Sequence, residues 1–193
     1  MRVVYVSYDG ALDPLGSSQI RPYLEGLSAR GVATTLVSFE KPARWRDDEA
    51  RMALASRLER AGIHWRPLAY HKWPRLPATA WDVLAGARAV QSEVERSGAA
   101  LVHCRGDVAT AMARRARLPR GVRILYVADP ATDAALLLAR QPGCFVVPPG
   151  DGAAAERGLR QALETPRVAR DLEAYTRRAL AAGLAGVLDD ACR

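Results

Sequence analysis

Residues 2–10, RVVYVSYDG, decide the fold of this chain because they begin as an apolar, β-branched run and end in a glycine-bearing loop. The loop continues through residues 11–19, ALDPLGSSQ, and apolar residues then recur at helical spacing: Ile20, Tyr23, Leu24 and Leu27. A buried strand, a loop and an amphipathic helix in this order place a ligand at the carboxyl end of a parallel sheet. The opening therefore predicts a ligand-binding α/β protein.

The rest of the chain repeats this alternation. Strand-like runs at 2–8, 32–38, 63–68, 99–104 and 122–127 are interleaved with helix-like runs at 18–30, 47–61, 78–97 and 107–117. Such alternation predicts a Rossmann-like parallel sheet in the order 3-2-1-4-5, with helices on both faces. Gly31, Gly62 and Gly98 each stand where a helix is expected to end in the left-handed conformation. Pro22 predicts that the first helix begins near Arg21 or has a distorted first turn.

The pattern changes after residue 130. Residues 143–147, GCFVV, form a candidate sixth strand, and two helix-like segments follow as an appended helical tail. We therefore expect a Rossmann-like domain over 1–130 and a smaller unit over 131–193. Asp107 and Asp151 are each expected to cap the helix that follows.

Composition limits the class of protein. With 193 residues, 49% of them hydrophobic, the chain can bury one α/β core with a small appendage. It contains neither a secretory signal pattern nor an apolar run of about 18 residues, which predicts a cytoplasmic protein. The three cysteines form no C-x-x-C pair, so we expect them to fill core positions rather than to bind a metal.

The net charge of +7 is concentrated in residues 41–130, which hold 17 Lys or Arg against 9 Asp or Glu. This surplus suits an anionic partner or, equally, a solvated arginine-rich surface. Nucleic-acid binding is not expected because no recognition helix or stacking platform is recognisable. Glu40 follows the second strand, where dinucleotide oxidoreductases bind a ribose, but the first loop lacks G-x-G-x-x-G.

Several blocks resemble the amino-terminal domain of family 4 retaining glycosyltransferases of the GT-B class. In the family's order, these blocks are 8–24 (YDGALDPLGSSQIRPYL), 36–42 (LVSFEKP), 62–68 (GIHWRPL), 70–72 (YHK) and 101–105 (LVHCR). Residues 143–151, GCFVVPPGD, with the break at Thr165-Pro166, resemble the carboxyl end of the same family.

The resemblance implies transfer of a sugar from a nucleotide-diphosphate sugar to a saccharide or lipid-linked acceptor, with no metal and no further cofactor. Enzymes of this class carry a whole donor-binding domain between the two blocks, whereas residues 131–142 alone separate them here. This segment holds no Glu-x7-Glu pair, and residues 125–130, LYVADP, lack the family's histidine. The sequence therefore assigns no catalytic residue. It leaves open an impaired enzyme or a non-catalytic, truncated module that binds a partner protein, a second copy or a membrane.

The candidate ligand contacts lie after the first and fourth strands. Gly10 and Gly16 let the backbone approach a ligand, and Ser17 with Ser18 can cap the helix while free N–H groups face an anion. The alternative is an ordinary strand-to-helix turn with a serine cap. His103 and Arg105 can exchange a proton and bind a phosphate, or can serve as a capping pair at the strand end. The candidates for contact with the donor or another substrate are Asp9, Gly10, Gly16, Ser17, Gln19, His103 and Arg105.

Two further segments combine tryptophan with cations. They contribute Trp45, His71, Lys72 and Trp73 as candidates for an acceptor loop or for contact with an anionic membrane. Such contact would place the protein on the inner face of the membrane. The alternative is that the rings pack on the domain while the cations face water.

Overall fold

The structure, a computed structural model, describes residues 1–119, 122–127, 144–148 and 152–165, together with positions 131, 136 and 139. The strands are β1 (Arg2–Ser7), β2 (Ala33–Glu40), β3 (Ile63–Ala69), β4 (Leu101–Arg105), β5 (Arg123–Val127) and β6 (Cys144–Val147). The α-helices whose full ranges lie among these residues are α1 (Arg21–Ser28), α2 (Pro42–Trp45), α3 (Asp48–Arg60), α4 (Arg75–Ser97), α5 (Gly106–Arg115) and α6 (Gly152–Glu164).

All six strands pair in parallel in the order β3-β2-β1-β4-β5-β6. The fold is thus the predicted Rossmann-like α/β sheet, and the candidate sixth strand extends it. In register, Tyr5 of β1 lies opposite Leu36 of β2 and His103 of β4. The direction in which the strands are added reverses between β1 and β4, which makes this boundary the switch point of the sheet.

Side chains of alternate strand residues build a core on each face of the sheet. On one face, Val4 and Val6 join Val90 of α4 and Met112 of α5 in a fully buried cluster. On the other face, Tyr5 packs in a cluster with residues of α1 and α3, among them Leu24, Leu54 and Leu58. Because successive strand residues point to opposite faces, both faces carry apolar side chains, and helices cover each of them.

The helix ends follow the glycine pattern. Gly31, Gly62 and Gly98 have φ values of 79°, 69° and 65°, which confirms the predicted left-handed positions. The prediction for Asp107 is wrong, because α5 begins at Gly106 and Asp107 lies inside its first turn. There its carboxylate is favoured by the helix dipole.

The first helix begins irregularly, as Pro22 predicts. A π-helical turn, Gly16–Ile20, precedes α1, which starts at Arg21 with Pro22 in its first turn. The short helix α2 was not expected from the sequence.

In the described part of the chain after residue 130, β6 extends the sheet and α6 packs against it. Leu159 of α6 packs on the cluster formed by Val3, Leu101, Leu125 and Val147. The Arg123 guanidinium also donates to the carbonyl of Thr165 across 2.7 Å. The second tail helix, the cap at Asp151, and Cys192 lie outside the described residues. No helix within the described ranges combines the length and apolar content needed to cross a bilayer.

The tightest packing of the first loop is at Gly16. A Cβ there would overlap the backbone carbonyls of Gly10 and Ala11, whereas a Cβ on Gly26 in α1 would make ordinary contact with Arg30. We expect Gly16→Ala to lower the free energy of unfolding by about 2 kcal/mol or more, since backbone must move. Gly26→Ala is the matched control and should leave stability unchanged or raise it by up to about 1 kcal/mol. Urea denaturation followed by circular dichroism measures both, and equal effects would contradict this packing.

Candidate functional site

The loop after β1 is held by the buried carboxylate of Glu40, the last residue of β2. It accepts hydrogen bonds from the amides of Ala11 and Leu12, at 2.8 and 3.2 Å, and from the Ser38 hydroxyl at 2.6 Å. Burial raises the pKa of Glu40, while these three donors act in the opposite direction. Because the carboxylate is committed to the loop, Glu40 does not serve as the ribose ligand that a dinucleotide site would need.

A second carboxylate closes the same loop. The Asp13 carboxylate accepts from the Gly10 amide at 3.3 Å and pairs with the Lys41 ammonium at 2.7 Å. This contact with Asp13 raises the pKa of Lys41. The Asp13 amide in turn donates to the Gly10 carbonyl at 3.2 Å. The turn is thus tied at both ends.

These contacts correct the expected anion cradle. The amides of residues 9–13 all donate within the protein, so they do not face a ligand. The hydroxyls of Ser17 and Ser18 donate to the Pro14 carbonyl, each across 2.8 Å, and do not cap the helix. Gly10 and Gly16 permit close packing of loop backbone and the Glu40 carboxylate rather than approach of a ligand.

Three of the predicted residues meet at the switch point between β1 and β4. The Arg105 guanidinium donates to the Gln19 side-chain oxygen at 2.7 Å and lies 3.6 Å from the Asp9 carboxylate. Both charged side chains remain partly open to solvent. A planar cation beside two acceptors can bind a phosphate, a carboxylate or sugar hydroxyls.

His103 lies beneath this group rather than in it. Its ring is buried between Tyr5, with ring centres 4.6 Å apart, and Tyr23, whose hydroxyl is 3.3 Å from Nδ1. Burial, with a smaller effect of the nearby Arg105, lowers the pKa of His103 to about 3. Burial also raises the pKa of Tyr5 to about 12. The neutral His103 ring therefore supports the site instead of transferring protons near neutral pH.

The tryptophan-containing segments behave differently from each other. The Trp45 ring packs against Trp65, with centres 6.0 Å apart, and the Arg51 guanidinium lies 4.9 Å from its centre. Trp45 thus packs on a neighbouring ring while 37% of the residue stays exposed. Trp73 is 76% exposed, beside His71 and Lys72.

Sequence reasoning missed Asp82, which lies fully buried in α4. Its carboxylate accepts from the Tyr8 hydroxyl at 2.9 Å and contacts His71 Nδ1 at 2.6 Å. The available signal was spacing, because Asp82 stands four residues from Ala78 and from Gly86 on the buried face of the helix.

Neither a scan against protein-family models nor a search of curated proteins found a match to this chain. Among solved structures, AtPrR2 in its apo form is 18% identical over 76% of this chain and 46% of its own, with a TM-score of 0.43. A glycosyltransferase from Rickettsia africae ESF-5 is 11% identical over 85% of this chain and 39% of its own, with a TM-score of 0.47. A short-chain dehydrogenase from Oenococcus oeni PSU-1 is 14% identical over 83% of this chain and 71% of its own, with a TM-score of 0.40. This chain spans less than half the length of the first two.

The buried His103 gives the protein a defined pH dependence. The unfolded state binds a proton at the ordinary histidine pKa of about 6.5, and the folded state only near 3, so acidification favours unfolding. We expect His103 to reduce the free energy of unfolding by about 1 kcal/mol per pH unit as the pH falls from about 6 towards about 4. His103→Gln should remove this part of the slope in urea titrations.

The half-exposed His64 supplies the control. His64→Gln should retain the slope that His103 causes. Identical pH dependence in the wild type and His103→Gln would mean that the imidazole is not held neutral in the folded protein.

Proposed function

We propose that this chain is the acceptor-side part of a GT-B glycosyltransferase, acting in the transfer of a sugar from a nucleotide-diphosphate sugar to a saccharide or lipid-linked acceptor. The observation that carries the proposal is the meeting of Asp9, Gln19 and Arg105 at the switch point of the sheet. Ligands of open α/β sheets bind in the crevice outside the carboxyl ends of the strands at this point. The sequence blocks that resemble the family supply β4 and the loop that follows β1.

The three side chains have complementary roles in this proposal. Arg105 supplies the cation for a phosphate, while Asp9 and the Gln19 amide bind sugar hydroxyls. His103 keeps a neutral ring next to Arg105 and so adds no second positive charge beside the guanidinium. Groups that recognise the donor nucleotide would come from a partner protein or a second copy of the chain.

A second candidate function is a non-catalytic module on an anionic membrane surface. One observation favours it: Leu76, Trp73 and Trp81 are 85%, 76% and 60% exposed around the start of α4, beside the cations Lys72 and Arg75. Exposed apolar side chains rimmed by cations suit the interface of an anionic bilayer. This location is also compatible with a lipid-linked acceptor.

Substitution of Arg105 tests the switch-point site. Arg105→Gln should weaken binding of nucleotide-diphosphate sugars or acceptor saccharides at least about tenfold, because a charge-assisted hydrogen bond contributes about 1.5–3 kcal/mol. Isothermal titration calorimetry with a panel of both ligand classes gives the measurement. Arg60→Gln is the matched control, since Arg60 ends α3 at the opposite edge of the sheet.

The same panel separates the enzyme from the module. Sugar transfer by the pure chain at catalytic concentration would exclude the non-catalytic module. Transfer that appears only with a partner protein would support a donor site to which the partner contributes residues. Equal ligand affinities in the wild type and Arg105→Gln would overturn the switch-point proposal.

The membrane candidate predicts a loss of vesicle binding when its apolar groups are removed. The double variant Trp73→Ala/Leu76→Gln should reduce binding to phosphatidylglycerol-containing vesicles about tenfold or more, since each buried apolar side chain contributes about 1.5–3 kcal/mol. Co-sedimentation measures the bound fraction. Met52→Gln is the control, because Met52 is an exposed apolar residue on α3, and an equal loss in this variant would contradict the proposed surface.

A further inference from the structure

Asp82 places a buried negative charge under the segment that joins β3 to α4. Its side chain is fully buried, and both carboxylate oxygens are used. One oxygen accepts from the Tyr8 hydroxyl at 2.9 Å and from the His71 amide at 3.1 Å, while the other lies 2.6 Å from His71 Nδ1. A buried carboxylate with this many partners fixes the geometry around it.

The carboxylate orients the His71 imidazole. A donated hydrogen bond from Nδ1 to Asp82 commits that nitrogen, and Nε2 remains as the second ring nitrogen of a side chain that is 47% exposed. His71 is therefore a ring held in one orientation at the protein surface.

The oriented ring lines a cavity of about 490 Å³. Its wall is formed by Tyr70, His71, Lys72, Trp73, Arg75 and Thr79, and none of these residues is acidic. Lys72 and Arg75 form no ion pair with a described carboxylate, so their charges are available to a ligand. The cavity thus concentrates positive charge above the buried Asp82 carboxylate, which is already engaged by three groups of Tyr8 and His71.

We infer that this cavity binds a phosphate group, with His71, Lys72 and Arg75 as its ligands and Asp82 as the positioning residue. Phosphate oxygens accept several charge-assisted hydrogen bonds, and the Lys72 and Arg75 cations beside the oriented His71 ring supply donors of that kind. The Thr79 side chain lies in the same wall and is hydrogen-bonded to Tyr8. The exposed Trp73 covers one side of the cavity with an apolar ring.

The site is separate from the switch point, although one loop serves both. Tyr8, which binds Asp82, immediately precedes Asp9, which faces Arg105. Burial and the neighbouring Asp82 raise the pKa of Tyr8, so its hydroxyl stays protonated and donates. The phosphate site needs neither Arg105 nor a nucleotide, and it goes beyond the proposed transfer of a sugar.

Titration of the full chain with pyrophosphate tests the site, with vesicles containing phosphatidic acid as a second arm. We expect His71→Gln and Lys72→Ala each to weaken binding at least about fivefold, as loss of a charged hydrogen bond requires. Both residues are exposed at the surface, so these variants should fold. Arg88→Gln, an exposed cation on the same helix about 20 Å from Arg75, is the charge-matched control and should retain affinity.

The two arms distinguish the source of the phosphate. Pyrophosphate binding that depends on His71 indicates a soluble phosphate ligand. If binding depends on His71 with vesicles alone, the ligand is a lipid headgroup. Arg105→Gln should leave pyrophosphate affinity unchanged even if the switch-point proposal fails. Absence of binding in both arms, or an equal loss in the Arg88 and His71 variants, would overturn the inference.

The role of Asp82 needs a readout beyond stability. In Asp82→Asn we expect the downfield proton resonance of His71 Nδ1 to be lost, together with at least about fivefold weaker pyrophosphate binding. Thermal unfolding shows whether this buried substitution folds. A folded variant with unchanged affinity would remove Asp82 from the site, and the His71 and Lys72 variants test the cavity without it.

Discussion

The carboxyl edge of the sheet depends on the hydrogen bonds that the buried Glu40 carboxylate accepts. Two backbone amides of the first loop and the Ser38 hydroxyl donate to one buried acid at the end of β2. A buried carboxylate without donors would be costly, so the loop and the acid specify each other. Gly10 completes the arrangement because a side chain there would overlap the carboxylate.

The fixed loop presents consecutive residues to different neighbours. The Tyr8 hydroxyl reaches Asp82 in α4, and the Asp9 carboxylate lies toward Arg105 at the end of β4. Since strand residues alternate between faces, this continuation of β1 can serve two groups of side chains at one edge of the sheet. Movement of the loop would alter both groups together.

The sequence predicts the sheet well because its signals are local. Apolar runs, helical spacing and Gly31, Gly62 and Gly98 each depend on neighbouring residues, and the strands and helix ends follow them. The sites depend on residues far apart in the chain. Tyr8 and Asp82 are separated by 74 positions. No local pattern shows that the amides expected to bind an anion would instead donate to the Glu40 carboxylate.

The histidines show why residue type alone does not assign a role. His103 follows the expected strand position, yet its ring is enclosed by two tyrosines and lies near Arg105, so charging it is opposed by both burial and repulsion. His71 has a carboxylate partner at 2.6 Å and keeps about half of its side chain open to solvent. Contact with an anion requires such access, which the enclosed His103 ring lacks. The chemically available imidazole is therefore the one beside α4, and the buried one serves the packing of the switch point.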